Sequence, residues 1–156
     1  MRIKSIEASK TLTSLGNETI KVRMALVDGM MTEISIPSGI SKGKYEVKNV
    51  STDEAIGQIY KIKTHLESHD WEQETLDRKL VELGLKGNAS LSISASFWKV
   101  TQKINVPNPD LKFPGLMLLL FEGGKHGNPN ISIQEFMIIE RFLKDAISDF
   151  KILRSY

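Results

Sequence analysis

The sequence predicts an α+β fold, and three observations carry that expectation. Three strand-like runs come first, three amphipathic helical runs follow, and a proline-rich break precedes two short, strongly apolar runs and a last helix. The predicted order is βββ, ααα, linker, ββα. It divides the chain into a first domain at 1–110 and a second segment at 111–156.

The first run, Arg2 to Leu12, alternates imperfectly, with Ile6 and Ala8 on one side. Thr19 to Val27 alternates better, since Ile20, Val22, Met24 and Leu26 share one face and Lys21 and Arg23 the other. Leu15-Gly16-Asn17 reads as the turn between these two runs. Asp28-Gly29 is a strong hairpin signal. MMTEISIP then gives a third strand, stopped by Pro37. Together these make an antiparallel three-stranded meander with one apolar face.

A Gly-punctuated loop, SGISKGKYE, follows from Ser38 to Glu46. Ser51 and Glu54 form a capping-box pattern that opens a helix whose buried stripe is Ala55, Ile56, Ile59, Ile62 and Leu66. A second helix is expected from near Asp70, burying Leu76, Leu80 and Leu83, with Gly84 as its stop. Asn88 is placed to cap a third helix reaching about Ile104, with Leu91, Ala95 and Trp98 inward. Three of the five prolines fall in Val106 to Gly115, the predicted linker. Beyond it, LMLLLF and ISIQEFMII are apolar on both faces, as expected of strands in a covered, parallel or barrel sheet. The last helix would align Phe142, Ala146, Phe150 and Leu153.

Composition narrows the function. Of 156 residues, 40% are apolar and 26% charged, which suits a soluble domain with a real core. Twenty-one basic against 19 acidic residues leave a net charge of +2, too balanced to point to nucleic acid or an anionic membrane. Cysteine is absent, which removes disulfides and thiolate chemistry. MRIKSIEASK contains no apolar signal region, and the six-residue run LMLLLF is far shorter than the roughly 20 residues that span a bilayer. A soluble, cytoplasmic protein is expected.

Candidate chemistry gathers in GGKHGNPNISIQEFMII, Gly123 to Ile139. His126 lies among glycines rather than on an apolar stripe, and could move protons near neutral pH. Gln134 and Glu135 are adjacent, so a strand would point them to opposite faces. Polar groups before FMII are costly unless they sit at a strand end or are hydrogen-bonded, and strand ends in barrels are where catalytic groups collect. A hydrogen-bonded structural pair explains them equally well. In SGISKGKYE, Ser41 could offer oxygen to a hard cation such as Mg²⁺, although this is no Walker loop and a plain surface loop is the simpler account. His65 and His69, spaced i, i+4, could touch one metal, but a solvated helix end accounts for them more simply.

Taken together, IKSIEASKTLTSLGNETIKV, IPSGISKGKYE, LKGNASLSISAS and GGKHGNPNISIQEFMII resemble enolase, nearly end to end and in the family's order. The resemblance implies an N-terminal cap of three antiparallel strands and helices over residues 1–110. A ββα start of a β/α barrel would follow over 111–156. It implies the superfamily's known base-plus-magnesium chemistry, the dehydration of 2-phosphoglycerate to phosphoenolpyruvate in glycolysis. Ser41 matches the mobile-loop ligand of the second Mg²⁺, with Gly39 and Gly43 letting that loop move. His126 matches the residue that approaches substrate on closure. Gln134 and Glu135 match the barrel pair beside the substrate, Glu135 nearest the leaving hydroxyl.

Departures qualify that match. The family usually reads DSRGNPT where this chain has TSLGNET, so Thr13, Leu15 and Glu18 replace residues around the family's dimer contact. Ile40 and Lys42 replace Ala and Thr in the loop. Residues 111–156 number 46, against roughly 250 in a complete β/α barrel. The carboxylates of the first Mg²⁺, the base Lys, the acid Glu and the substrate Arg come later in that barrel and have no place in this sequence. The expectation is an enolase homologue, truncated and inactive alone, working at most as one part of a split enzyme. Mg²⁺ would then bind weakly, and 2-phosphoglycerate or phosphoenolpyruvate would bind only with a complementing barrel chain. The alternative is a non-catalytic binding or regulatory module that self-associates or pairs with a full-length enolase. No nucleic-acid or membrane partner is expected.

Overall fold

Strong turn chemistry sets the first sheet. In a computed structural model describing residues 1–37, 39, 43–101 and 114–155, β1 (Ile3–Leu12), β2 (Glu18–Leu26) and β3 (Met31–Ser35) form an antiparallel sheet in the order β1-β2-β3. Gly16 and Gly29, at φ 78° and 93°, supply the left-handed residues of the two turns. Asp28 Oδ1 accepts from the Met30 N–H at 3.0 Å, closing the second turn. Register pairs Ala8 with Val22 and Val22 with Ile34. Ile20, Val22, Met24 and Leu26 are fully buried, as the alternation predicts. The register shifts between Ile3 and Ser5, so Ile3 and Ile6 both point inward despite their odd spacing.

The helices cover this sheet. Helix α1 (Thr52–Glu67) starts at Ser51, whose Oγ accepts the Glu54 N–H at 3.2 Å, and buries Ala55, Ile59 and Leu66. Ile56 and Ile62 pack against the core half-buried. The same helix shields the free edge of β1. Glu67 Oε1 accepts the Ile6 N–H at 2.9 Å, and the Tyr60 hydroxyl donates to the Ala8 carbonyl at 3.2 Å. A free strand edge is a template for unwanted pairing, and these side chains occupy it. Trp71, which sequence patterning passed over, is buried and donates from Nε1 to the Leu66 carbonyl at 2.7 Å.

Helix α2 (Gln73–Glu82) begins three residues later than expected, because Asp70 pairs with Arg2 in an isolated bridge. It ends as a Schellman turn. Gly84 sits at φ 70°, its N–H bonding the Val81 carbonyl, while the Leu85 N–H reaches the Leu80 carbonyl. Leu76 and Leu80 are buried as expected, whereas Leu83, the C-cap, is exposed.

Helix α3 (Gly87–Thr101) corrects the sequence reading twice. Asn88 lies inside the helix and is not its cap. The buried face is Ala89, Ser92, Ile93, Ser96, Phe97 and Val100, while Leu91 and Trp98 are 51% and 55% exposed. Small side chains let this helix approach the sheet closely, and Ile93 and Phe97 fill the space between. The expected stripe of Leu91, Ala95 and Trp98 is thus not the buried one. The predicted linker from Val106 lies mostly outside the described residues.

The chain divides into two units, Met1–Ile104 and Asn105–Tyr156. In the second, β4 (Leu116–Glu122) and β5 (Glu135–Glu140) form an antiparallel pair, followed by α4 (Leu143–Leu153). Neither strand is covered on both faces. Along β4, half-buried and exposed residues alternate, and Met117 and Ile139, paired in register, are 64% and 69% exposed. Helix α4 packs on one face, with Ile147 and Phe150 beside Leu118, and the opposite face has no layer within this unit among the described residues. Of the expected α4 stripe, Ala146 is buried and Phe150 half-buried, whereas Phe142 and Leu153 are exposed. No helix among the described residues is long and apolar enough to cross a membrane.

Candidate functional site

The predicted site residues fall on both units. In the first, the loop after β3 carries Gly39, Ser41 and Gly43. Ser41 lies outside the described residues, so its expected role as a metal ligand has no geometry here. Gly43 is not in the left-handed region, and a Cβ added to it would meet only the Glu46 side chain, at 4.0 Å. The Gly43 N–H donates to Glu46 Oε2 at 3.0 Å, and the Glu46 N–H returns to the Gly43 carbonyl at 3.2 Å, giving a closed turn.

The far end of this loop is clamped to α3. Asn88 holds Val50 from both sides: its Oδ1 accepts the Val50 N–H at 3.1 Å and its Nδ2 donates to the Val50 carbonyl at 2.9 Å. The Gly87 N–H donates to the Lys48 carbonyl at 3.2 Å. A Cβ at Gly87 would press against Asn49 Oδ1 and the Val47 carbonyl, at 2.6 and 2.9 Å. The Gly87-Asn88 dipeptide therefore both opens α3 and anchors the loop, whereas sequence reading gave Asn88 the role of helix cap.

In the second unit, the segment between β4 and β5 is folded tightly on itself. The Asn128 N–H donates to the Glu122 carbonyl at 3.1 Å, the Gly124 N–H faces the Asn128 and Ile131 carbonyls, and the Gly123 N–H bonds the Gln134 carbonyl at 2.9 Å. Two glycines are sterically required. A Cβ on Gly123 would run into the carbonyls of Ile131 and Ile133, and one on Gly127 into the Glu122 backbone. Gly124 adds a left-handed turn at φ 62°. These contacts keep residues 131–134 out of the ladder, so β5 begins at Glu135 and not at Ile131.

This fold presents Lys125 and His126 at the tip of the segment and places Gln134 and Glu135 where it enters β5. All four side chains are exposed. His126, Gln134 and Glu135 thus share one end of the hairpin. Gln134 precedes the strand, so the opposite-face argument does not apply to it. Register also sets Glu122 directly opposite Glu135. Sequence reading missed Glu122, though its place just before the Gly pair could have drawn attention to it.

The charged residues at this end are the opposed Glu122 and Glu135, with Lys125 and His126 in the connecting segment. That set can accept hydrogen bonds, move protons and meet an anion. Among the described residues no three His, Asp or Glu side chains gather to hold a metal ion. The His65 and His69 rings lie 4.7 Å apart between centres at a tilt of 44°, but His69 Nδ1 is engaged with Ser68 Oγ and the His65 carbonyl.

No protein-family profile matches the chain. The enolase of Mycobacterium leprae (strain TN) is 26% identical over 166 aligned positions, which cover 87% of this chain and 38% of that enolase. The chain thus spans well under half the length of the curated relative it matches. An antiparallel three-stranded sheet, three helices and a two-stranded sheet, in that order, agree with an enolase N-terminal-like fragment. The chain is a distant, partial relative of enolase.

Proposed function

We propose that this enolase-like chain supplies a cap, residues 1–110, and one edge of a substrate pocket, residues 111–156. Dehydration of 2-phosphoglycerate would draw on barrel residues other than these 156, whether from a longer form of this chain or from a complementing polypeptide. What supports this reading is the glycine-dependent fold of the 123–134 segment, which leaves His126, Gln134 and Glu135 exposed at the loop end of the hairpin.

Glu135 would assist departure of the hydroxyl, His126 would meet the phosphorylated substrate, and Gln134 would orient it. Ser41, on the loop flanked by Gly39 and Gly43, would contribute one ligand to Mg²⁺. The complementing barrel has to bring the remaining magnesium ligands and the group that removes the α-proton. Without them, positioning and electrostatic stabilisation, the largest catalytic contributions, are incomplete.

The test mixes the chain with 2-phosphoglycerate and Mg²⁺ and follows enolpyruvate absorbance, with and without an added enolase barrel polypeptide. Turnover is expected only in the mixture, and Glu135→Gln should lower it by roughly 10²-fold or more. Equal turnover without the barrel, or a mixture that Glu135→Gln leaves unchanged, overturns the reading.

A second reading is a non-catalytic module that associates with itself or with a full-length enolase. The exposed apolar face of the hairpin, including Met117, Leu119 and Ile139, favours it. Light scattering of the pure chain, alone and with a full-length enolase, separates the two.

A further inference from the structure

A cleft of about 530 Å³ opens in the first unit between the 46–49 loop and helices α2 and α3. It lies within the size range of ligand sites. We propose that it binds an amphipathic helix that carries Lys or Arg beside its apolar ridge.

The shape argument comes from spacing. Asp77 and Val81 of α2 stand one turn apart, and Gly87, Ser90, Leu91 and Ser94 of α3 recur at i, i+3, i+4 and i+7. Two helices presenting such rows leave a seam that a third helix can fill, ridge into groove. The small residues on α3 allow close approach, while Val47, Val81 and Leu91 give an apolar floor. Val81 is 75% exposed and Leu91 51%, so the cleft leaves substantial apolar area in water. The clamp of Asn88 on Val50 holds the loop wall in place before any ligand arrives.

The charge argument fixes the sign. Glu46 and Asp77 are the charged residues lining the cleft, and among the described residues no cation lines it. Neither carboxylate is in an ion pair among the described residues. Asp77 accepts from Gln73 Nε2 at 3.0 and 3.1 Å, and Glu46 accepts from the Gly43 N–H. Gln73 Nε2 also donates to Ser94 Oγ, so one amide ties Asp77 of α2 to Ser94 of α3. The nearby cations stand outside the cleft. Arg78 pairs with Glu74 at 3.3 Å, Lys44 lies over the Tyr45 ring, and Lys48 is exposed beside the loop. A donor-rich ammonium or guanidinium on an apolar ridge complements this set, and an acidic ridge does not.

The probe is a synthetic 14-residue amphipathic Leu–Lys helix, with a Leu–Glu peptide of the same pattern as control, added to the full chain. Methyl resonances of Val81 and Leu91 should shift saturably with the Leu–Lys peptide and not with the Leu–Glu peptide. Glu46→Lys combined with Asp77→Lys, checked for retained structure by circular dichroism, should weaken the Leu–Lys peptide by roughly tenfold and favour the control. Equal response to both peptides, or shifts confined to Met117 and Leu119, overturns the proposal. So does a lack of saturable shift in the unmodified chain, which tests the idea without relying on the variant's folding.

Discussion

The two units carry similar proportions of apolar residues in very different surroundings. In the first, side chains from three strands and three helices close one continuous core around Ile20, Met24, Ile59, Leu80, Ile93 and Phe97. In the second, a two-stranded sheet carries one helix on one face, and Ala146 is its one fully buried apolar residue among those described. Apolar content therefore does not predict burial. What matters is whether each apolar face finds a second layer. A bare two-stranded hairpin is marginal in water, and here a single helix supplies the one layer that covers it among the described residues of this unit. The two units also hold their loops differently: a half-buried side-chain clamp in the first, close backbone approach at glycine in the second.

The sharpest way to break this comparison is a truncation in each unit. Phe97→Ala should cost about 3–5 kcal/mol, because it empties the middle of a closed core. Met117→Ala should cost under about 0.5 kcal/mol, because Met117 is mostly in water. Denaturant unfolding of both variants checks the pair. Equal losses would mean that the second unit buries its hairpin face as completely as the first buries its sheet.

Smaller effects follow from the loops. Gly127→Ala should lose at least the roughly 1–3 kcal/mol typical of overpacking, seen as faster hydrogen exchange at the Asn128 and Gly124 N–H groups. Asn88→Ala strips two hydrogen bonds from Val50 and should cost about 1–3 kcal/mol, with faster exchange at Val50 and Gly87. The hairpin should not respond to Asn88→Ala, nor the 43–50 loop to Gly127→Ala, if each loop is held as described.

The smallest effect is electrostatic and belongs to the solvated face of the first sheet. Hydrogen bonds from Lys21 and Arg23, both at 3.1 Å, hold the Glu33 carboxyl below its ordinary value. A carboxyl lowered on folding stabilises the protein above its unfolded pKa. That contribution is lost as pH falls through the lowered folded value. The Tm difference between the unmodified chain and Glu33→Gln should therefore be visible at neutral pH and shrink in acid. A difference that grows on acidification would contradict the assignment.

Legibility tracked how local the determining physics was. Strand alternation placed Ile20, Val22, Met24 and Leu26 correctly, and the Ser51–Glu54 cap opened α1 where expected. Gly84 ended α2 through a turn that needs only its own neighbours. Leu91 and Trp98 were misplaced because the inward face of α3 is chosen by how closely small residues let it approach the sheet, and spacing does not encode that distance. Asn88 looks like a cap in sequence because its partner, Val50, is 38 residues away. Of the candidate site, His126, Gln134 and Glu135 stood out as polar residues beside glycines and an apolar run. Glu122 did not, because only the β4–β5 register sets it against Glu135.

The sequence by itself determined the element order, the turns and the polar cluster near the end of the chain, because period, caps and glycine conformations act within a few residues. Tertiary structure alone decided which face of α3 is buried and which segment Asn88 holds. It also decided that the Gly123–Gln134 stretch folds back to bring His126 and Glu135 to one end, and that the hairpin's outer face meets water. Those outcomes depend on distances between segments remote in the chain, where burial and close packing, not local preference, set the free energy.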